Sequence, residues 1–335
     1  MRNAMVADLA MLDDVAVTCA TCTLSSDVDE SLPARVQQVC RPPGIPALDF
    51  LRSQAALHDF VWVVAPESGG MLASLRAASE DRQWLGCGGR AIAIASSKRA
   101  TAAALRTAGI AATEPFEAGI GSDVDPDERI ASGSVASGSV ASGSVASGDG
   151  AWVVKPDDGC GAAGARKHRN FDQACRDYIG RRRQGEVAVL EPWVAGESLS
   201  LSLLCGPQDV QVLSLNRQHI SVDEDGFLGF DGVSIGPAPD GERGQQLEAL
   251  ARSIADALPG LAGFVGVDVT WHPARGPVVI EVNPRVTCAY AGLSAMGRRN
   301  VAQEVLRLHL LVHGAARERV DARGREISRV ALPTR

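Results

Sequence analysis

The sequence predicts a mixed α/β protein built of α+β lobes, and three observations carry that prediction. Strand-like and helix-like segments alternate over roughly residues 1–95, the pattern of a βαβ-type, mostly parallel lobe. From residue 151 onward short apolar runs recur between turn residues, and two of them, 198–205 and 210–216, read as an antiparallel pair. The length of 335 residues suits two domains or one body of several lobes, and 45% apolar residues are enough for a sizeable core.

Each element has its own reason. Residues 4–18 carry the apolar spacing of a helix running into a short strand. Asp59–Pro66 reads as a buried strand, followed by helix-like Met71–Arg82, the glycine-rich Leu85–Gly89 and a second apolar run, Ala91–Ala95, in the strand–helix alternation. Ser96-Ser97-Lys98 caps a helix over Arg99–Ala108 that stops at Gly109. Residues 132–148 repeat Ser-Gly-Ser-Val-Ala three times and close on Ser-Gly; such a segment buries almost nothing and reads as a flexible surface insertion. Then come strand 151–156, a glycine-rich loop 157–165, a basic helix-like stretch 166–184 and strand 187–192. Residues 227–236 read as a glycine-rich loop. The helix at 246–258 puts Leu247, Leu250, Ala251, Ile254 and Leu258 on one face and ends at Pro259-Gly260. Strands 263–271 and 278–284 and a helix over 300–313 complete the series.

Composition narrows the function. A net charge of -7 disfavours a nucleic-acid partner, because phosphate contacts need a basic face. No window reaches the ~18 uninterrupted apolar residues of a membrane helix. The first residues, with Asp8, Asp13 and Asp14, lack a basic-then-apolar signal, so a cytoplasmic protein is expected. Eight scattered cysteines fit reduced thiols; Cys19 and Cys22 have metal or redox spacing but no second pair. His309 and His313 lie four apart on an apolar helix without the glutamate of a zinc motif, and Arg181–Arg183 reads as a solvated helix face. Only Lys98, Lys155 and Lys167 are lysines, which makes each a candidate for a compact point charge.

The segments 263–271 and 277–285 hold the most chemistry. If they pair about a turn centred between Ala274 and Arg275, Asp268 lies directly across from Glu281. Val265, Val267, Val269 and Trp271 share the other face of their strand. In the partner strand Val278, Ile280 and Val282 share a face, and Glu281 and Asn283 lie opposite. Like charges directly opposed are destabilising, and a cation between them relieves the repulsion. Asp268, Glu281 and Asn283 offer only oxygen ligands, which suits Mg²⁺ or Mn²⁺; a solvent-facing hairpin is the bland alternative.

A second feature is Lys155, then a loop with Gly159, Gly161 and Gly164. Its G-x-G-x-x-G is a weak dinucleotide fingerprint and it is not a Walker A loop. A strand lysine before a glycine loop whose N–H groups cover phosphates remains, beside the plainer hairpin tip. The third feature is a strand ending in Glu191-Pro192-Trp193-Val194 and resuming after Gly196 with Glu197.

In their order these features resemble the ATP-grasp superfamily over roughly residues 96–313, with a pre-ATP-grasp lobe before it. The resemblance implies a lobe over 1–95, a small lobe over 96–195, a large lobe over 196–320 and a tail over 321–335. It implies that Lys98 and Lys155 touch the phosphates of ATP and that the loop 157–164 folds over them. Glu191 and the Val194 backbone would meet adenine, and Glu197 ribose. Asp268, Glu281 and Asn283 would hold two divalent ions, and Arg285 would stabilise the transferring phosphoryl group or an acyl phosphate. Such enzymes join a small carboxylate to an amine. Within the superfamily, Glu281–Leu293, Leu213–Gln218 and the Met5-x-x-Asp8-Leu pattern resemble the tyramine–glutamate ligase group of methanofuran biosynthesis. On that resemblance Asn216, Thr287 and Tyr290 become candidates for the acceptor pocket, with plain core packing as the other reading of Tyr290. The pattern has hydroxyl residues where this chain has Cys288 and Ala289.

Overall fold

The computed structural model describes residues 1–21, 29–79, 83–116, 150–297 and 299–314. The repeat insertion, Cys22, the side chain of His313 and the tail 321–335 lie outside the described residues.

The first lobe carries helices α1 (Arg2–Ala10), α2 (Ala47–Ala55), α3 (Met71–Ala78) and α4 (Gly89–Ala95). Its strands form two parallel pairs, β1 (Thr18–Thr21) with β2 (Gln37–Cys40) and β3 (Phe60–Val61) with β4 (Gln83–Trp84). The alternation is therefore present, but the run Asp59–Pro66 keeps only two residues in a strand. Ala91–Ala95 is helical: Ala91, Ile92 and Ala95 are all buried, a spacing that suits a helix face and not a pleat.

Helix α5 (Lys98–Thr107) starts where the capping residue predicts, with Ser97 Oγ accepting from the Ala100 N–H at 3.0 Å. The chain then runs along two sheets at once. The Thr113 N–H donates to the Val279 carbonyl and the Phe116 N–H to that of Leu190, so one short segment bridges them. The smaller sheet has three antiparallel strands, β5 (Trp152–Pro156) between β6 (Arg166–His168) and β7 (Ala188–Pro192). Helix α6 (Phe171–Arg183) packs on it. The predicted basic helix thus begins five residues late, because Arg166–His168 pair with β5 and Asn170 supplies the cap.

The larger sheet is antiparallel in the order β10-β9-β8-β11-β12, with β8 Glu197–Cys205, β9 Val210–Val222, β10 Leu228–Ile235, β11 Gly263–His272 and β12 Gly276–Asn283. Helix α7 (Gly241–Ala257) lies against it, and α8 (Ala289–Ala295) and α9 (Val301–Gly314) are the last described elements. The segment 227–236, expected as a loop, is a strand. β9 runs six residues further than its apolar pattern, and β10 pairs with that polar half through a bulge between Phe230 and Gly232.

One face of the large sheet packs Leu201, Leu203, Val265, Val267, Val269 and Val282 against Leu247, Ala251 and Ile254 of α7. That single apolar face fixes the register, since a one-residue slip would turn every side chain over. The opposite face of β8 and β11 is therefore left to Ser198, Ser200, Asp268 and Thr270, and it looks toward the small sheet.

Candidate active site

A cavity of about 380 Å³ lies between the two sheets. Its floor is the polar face of the large sheet and its roof is β5, β7 and the glycine loop.

At the floor, Asp268 on β11 sits across from Glu281 on β12, the register expected from the sequence. The route differs. The hairpin turns about Ala274, half a residue early, and a bulge at Ile280 restores the pairing from Asp268 to Gly266. The bulge also corrects the expected facing: Ile280 turns into the cavity, and Val279 takes its place in the core beside Val282. Asn283 Nδ2 donates to Asp268 Oδ2 at 3.3 Å, and Gln218 Nε2 donates to Asp268 Oδ1 at 3.0 Å. Burial and then the charge of Glu281 push the Asp268 carboxyl well above the usual range. Two carboxylates and an amide in one wall, with one of the acids disfavoured as an anion, form a hard oxygen set that fits Mg²⁺ or Mn²⁺. Among the described residues no group of three or more His, Cys, Asp or Glu is placed to hold a metal, so the amide of Asn283 is needed to complete it.

Both flanking lysines are buried and paired. Lys98 Nζ lies 3.2 Å from Glu281 Oε1 and donates to the Gly159 carbonyl at 2.5 Å. Lys155 Nζ meets Glu191 Oε1 at 2.5 Å, while Glu191 Oε2 is buried without a hydrogen-bond partner among the described residues. Gly159 and Gly161 line the cavity. Gly164 sits behind it at φ +71°, where a Cβ would meet Pro156 Cγ at 3.1 Å. Val194, Arg285, Thr287 and Cys288 also line the cavity, and burial raises the Cys288 thiol.

Three sequence candidates lie apart. Glu197 is outside the lining and forms ion pairs with Arg217 and Arg243, both at 2.8 Å. The Arg243 hydrogen bond is the main reason its carboxyl stays below the usual range. Asn216 lies on the same sheet face as Ser200 but is fully buried outside the lining, and it donates to Ser200 Oγ and Ser202 Oγ. Tyr290 is fully buried, its hydroxyl donating to Asp8 Oδ2 at 2.8 Å, which matches the core-packing reading.

The sequence reading also missed residues. Gln218 shares the cavity face with Asn216 two positions earlier, a strand period that could have found it. Arg181 is no solvated side chain: it is held by Asp177 and donates through Nη1 to the Gly164 carbonyl at 2.6 Å, anchoring the far end of the glycine loop. On Asp177 burial acts upward, but the hydrogen bonds of Arg181 and His168 outweigh it and hold the carboxyl low. Glu67, in the turn after Pro66, reaches Arg285 from the first lobe.

Comparison places this geometry. No curated protein matches the sequence. Among solved structures, an L-amino acid ligase from Bacillus licheniformis is 19% identical with a TM-score of 0.63, covering 92% of this chain and 71% of its own. A D-alanine–D-alanine ligase from Bacillus anthracis complexed with ATP is 15% identical with a TM-score of 0.59, covering 89% and 98%. The biotin carboxylase domain of a Hydrogenobacter thermophilus 2-oxoglutarate carboxylase, in complex with MgADP, is 13% identical with a TM-score of 0.65, covering 92% and 67%. At such identities these likenesses concern the fold. A family model for the pre ATP-grasp 3 domain matches residues 18–92, and one for the ATP-grasp domain matches residues 95–289. Matched over more than half its length, and with two antiparallel sheets closing on a cleft beside an α/β lobe, the chain belongs to the ATP-grasp family.

Proposed function

We propose that this protein is an ADP-forming carboxylate–amine ligase, and that its substrates are L-glutamate and tyramine, joined as γ-glutamyltyramine for a methanofuran-type cofactor. The observation that carries the ligase reading is the pairing of Asp268 with Glu281 on the wall of the cavity that Lys155 and the glycine loop roof over. The lobe boundaries expected from the sequence, at 95/96 and 195/196, belong to the same proposal.

On this reading the carboxylate oxygen attacks the γ-phosphorus of ATP, the bond to the β-phosphate oxygen breaks, and ADP leaves. The amine nitrogen then attacks the acyl carbon, phosphate departs with the C–O bonding pair, and the nitrogen loses a proton. Asp268, Glu281 and Asn283 would hold Mg²⁺ or Mn²⁺, two ions on the family pattern, which supply charge neutralisation for the β- and γ-phosphates. Lys98 and Lys155 add positive charge as compact ammonium groups beside the phosphates. Glu191 Oε2, buried and without a hydrogen-bond partner among the described residues, is an acceptor that the exocyclic amine of adenine would satisfy. Gly159 and Gly161 keep water from the acyl phosphate when the loop is down. Arg285 and Thr287 in the lining would meet the reacting carboxylate, and Ile220, Phe230 and Val233 of the paired strands β9 and β10 give the lining apolar side chains suited to an aromatic amine.

A second reading, another amino-acid ligase, is favoured by the amino-acid ligases among the structural likenesses. ADP release measured over a panel of carboxylates and amines separates the two. Glutamate with tyramine is expected to give ADP, phosphate and the amide; success of a different pair alone would leave the ligase and remove this substrate assignment. No substrate-stimulated ADP with any pair would mark an ATP-binding sensor. Glu281→Gln is expected to cut turnover about 10²–10³-fold with the fold unchanged by circular dichroism, and a near-normal rate would end its assigned role.

A further inference from the structure

Arg285 does not hold itself over the cavity. Its Nε–H donates to Glu67 Oε2 at 2.8 Å, across 218 residues of sequence. Its Nη2 donates to Asn283 Oδ1 and its Nη1 to the Val286 carbonyl, each at 3.3 Å. The Nε edge thus has the shortest contact, and each Nη keeps a second N–H for an anion in the cavity.

Glu67 is 4% exposed, and its other oxygen, Oε1, is buried without a hydrogen-bond partner among the described residues. A carboxylate with a stranded oxygen is an expensive way to fill space, because a buried ion is destabilising unless its partners offset the lost hydration. Packing alone would favour an apolar side chain there. The turn that carries it is itself tied to the roof of the site. The Gly69 N–H donates to Asp158 Oδ2 at 2.8 Å, and Ser68 Oγ donates to the Asp158 carbonyl at 3.0 Å. Three consecutive residues of the first lobe therefore touch both the arginine and the glycine loop.

We propose that Glu67 is a positioning residue of this site: it fixes the plane and reach of the Arg285 guanidinium, so that the two Nη groups face the phosphoryl group being transferred. The proposal deepens the ligase reading and rests on it for the role of Arg285. Glu67 itself touches no reacting atom. Its loss lowers the rate at saturating substrate and leaves nucleotide affinity nearly untouched.

Glu67→Gln, Arg285→Lys and the double variant test this. The glutamine keeps the shape and an acceptor but removes the charge that orders the pair. Expected in Glu67→Gln are a kcat lower by about 10–10²-fold, an unchanged KM for ATP and a thermal midpoint close to wild type. On the Arg285→Lys background the same change is expected to add almost nothing, because the group it positions is gone. A loss of equal size on both backgrounds, or a fall in rate that tracks a fall in thermal midpoint, overturns the proposal. The Arg285 Nε–H resonance, identified by its absence in Arg285→Lys, gives a readout without turnover. It is expected to be protected from exchange in the wild type and to exchange faster in Glu67→Gln; unaltered protection refutes the positioning. If no substrate pair yields ADP in the wild type, the ligase reading falls, and this resonance still decides whether Glu67 holds Arg285.

Discussion

Asp268 concentrates the electrostatics of the site in one residue. Its carboxyl is raised by burial and by Glu281, so the folded protein prefers it protonated while the unfolded chain titrates in the ordinary carboxylate range. A group raised on folding contributes its stability below the unfolded value and loses it as pH climbs toward the folded one. In EDTA, the wild type is therefore expected to lose stability from this residue as pH rises out of the carboxylate range. Asp268→Asn, which cannot ionise, is expected to have the higher thermal midpoint at pH 8, with the gap closing near pH 4; a lower midpoint at pH 8 would contradict the assigned burial penalty. The pairing behind this was reached from the sequence because the bulge at Ile280 offsets a turn centre placed half a residue late; strict alternation about Ala274 would have set Asp268 across from Ile280. Glu67 was not legible, since its partner lies 218 residues away and no local period connects them.

At the level of elements, the errors share a cause. Ala91–Ala95 and Arg166–His168 are each too short for period 2 and period 3.6 to separate, so tertiary contacts decide. The bulge at Ile280 inserts one residue that no apolar pattern announces. Helix α6 acts beyond its own packing. Arg181 reaches from it to the Gly164 carbonyl and is held from behind by Asp177, which also meets His168 at 2.9 Å. Arg181→Ala is expected to cost about 1–3 kcal/mol in urea unfolding, the range for removing one partner of a buried charged network. It is also expected to speed amide exchange in residues 157–164 and raise the KM for ATP. Faster exchange confined to α6, with the loop unaffected, would show that the loop is held by something else.

Over the whole molecule, the first described helix packs with the last. Met5 of α1 shares one core with Phe264 of β11, Tyr290 and Leu293 of α8 and Val301 and Val305 of α9. Val154, Ala174, Tyr178 and Leu190 form a different core under the small sheet. Asp8 pins the first of these together: buried, it accepts from Tyr290 Oη at 2.8 Å and Ser294 Oγ at 2.7 Å, and its backbone carbonyl accepts from Asn300 Nδ2 at 2.7 Å. Burial first, and the hydrogen bond to Asp8 next, hold the Tyr290 hydroxyl far above its usual range and so keep it a donor. Removing the carboxylate strands the buried Tyr290 hydroxyl and the half-buried Ser294 hydroxyl, so Asp8→Ala is expected to cost about 2 kcal/mol, and Asp8→Asn less because one acceptor survives. Cooperative units follow shared cores, so the loss should be regional. Native-state hydrogen exchange is expected to show residues 2–10 and 289–295 losing protection together in Asp8→Ala, while β5 and β7 keep theirs. Equal loss in the small sheet would mean that the two cores unfold as one. Loss confined to α1 would mean that Tyr290 and Ser294 are held without it.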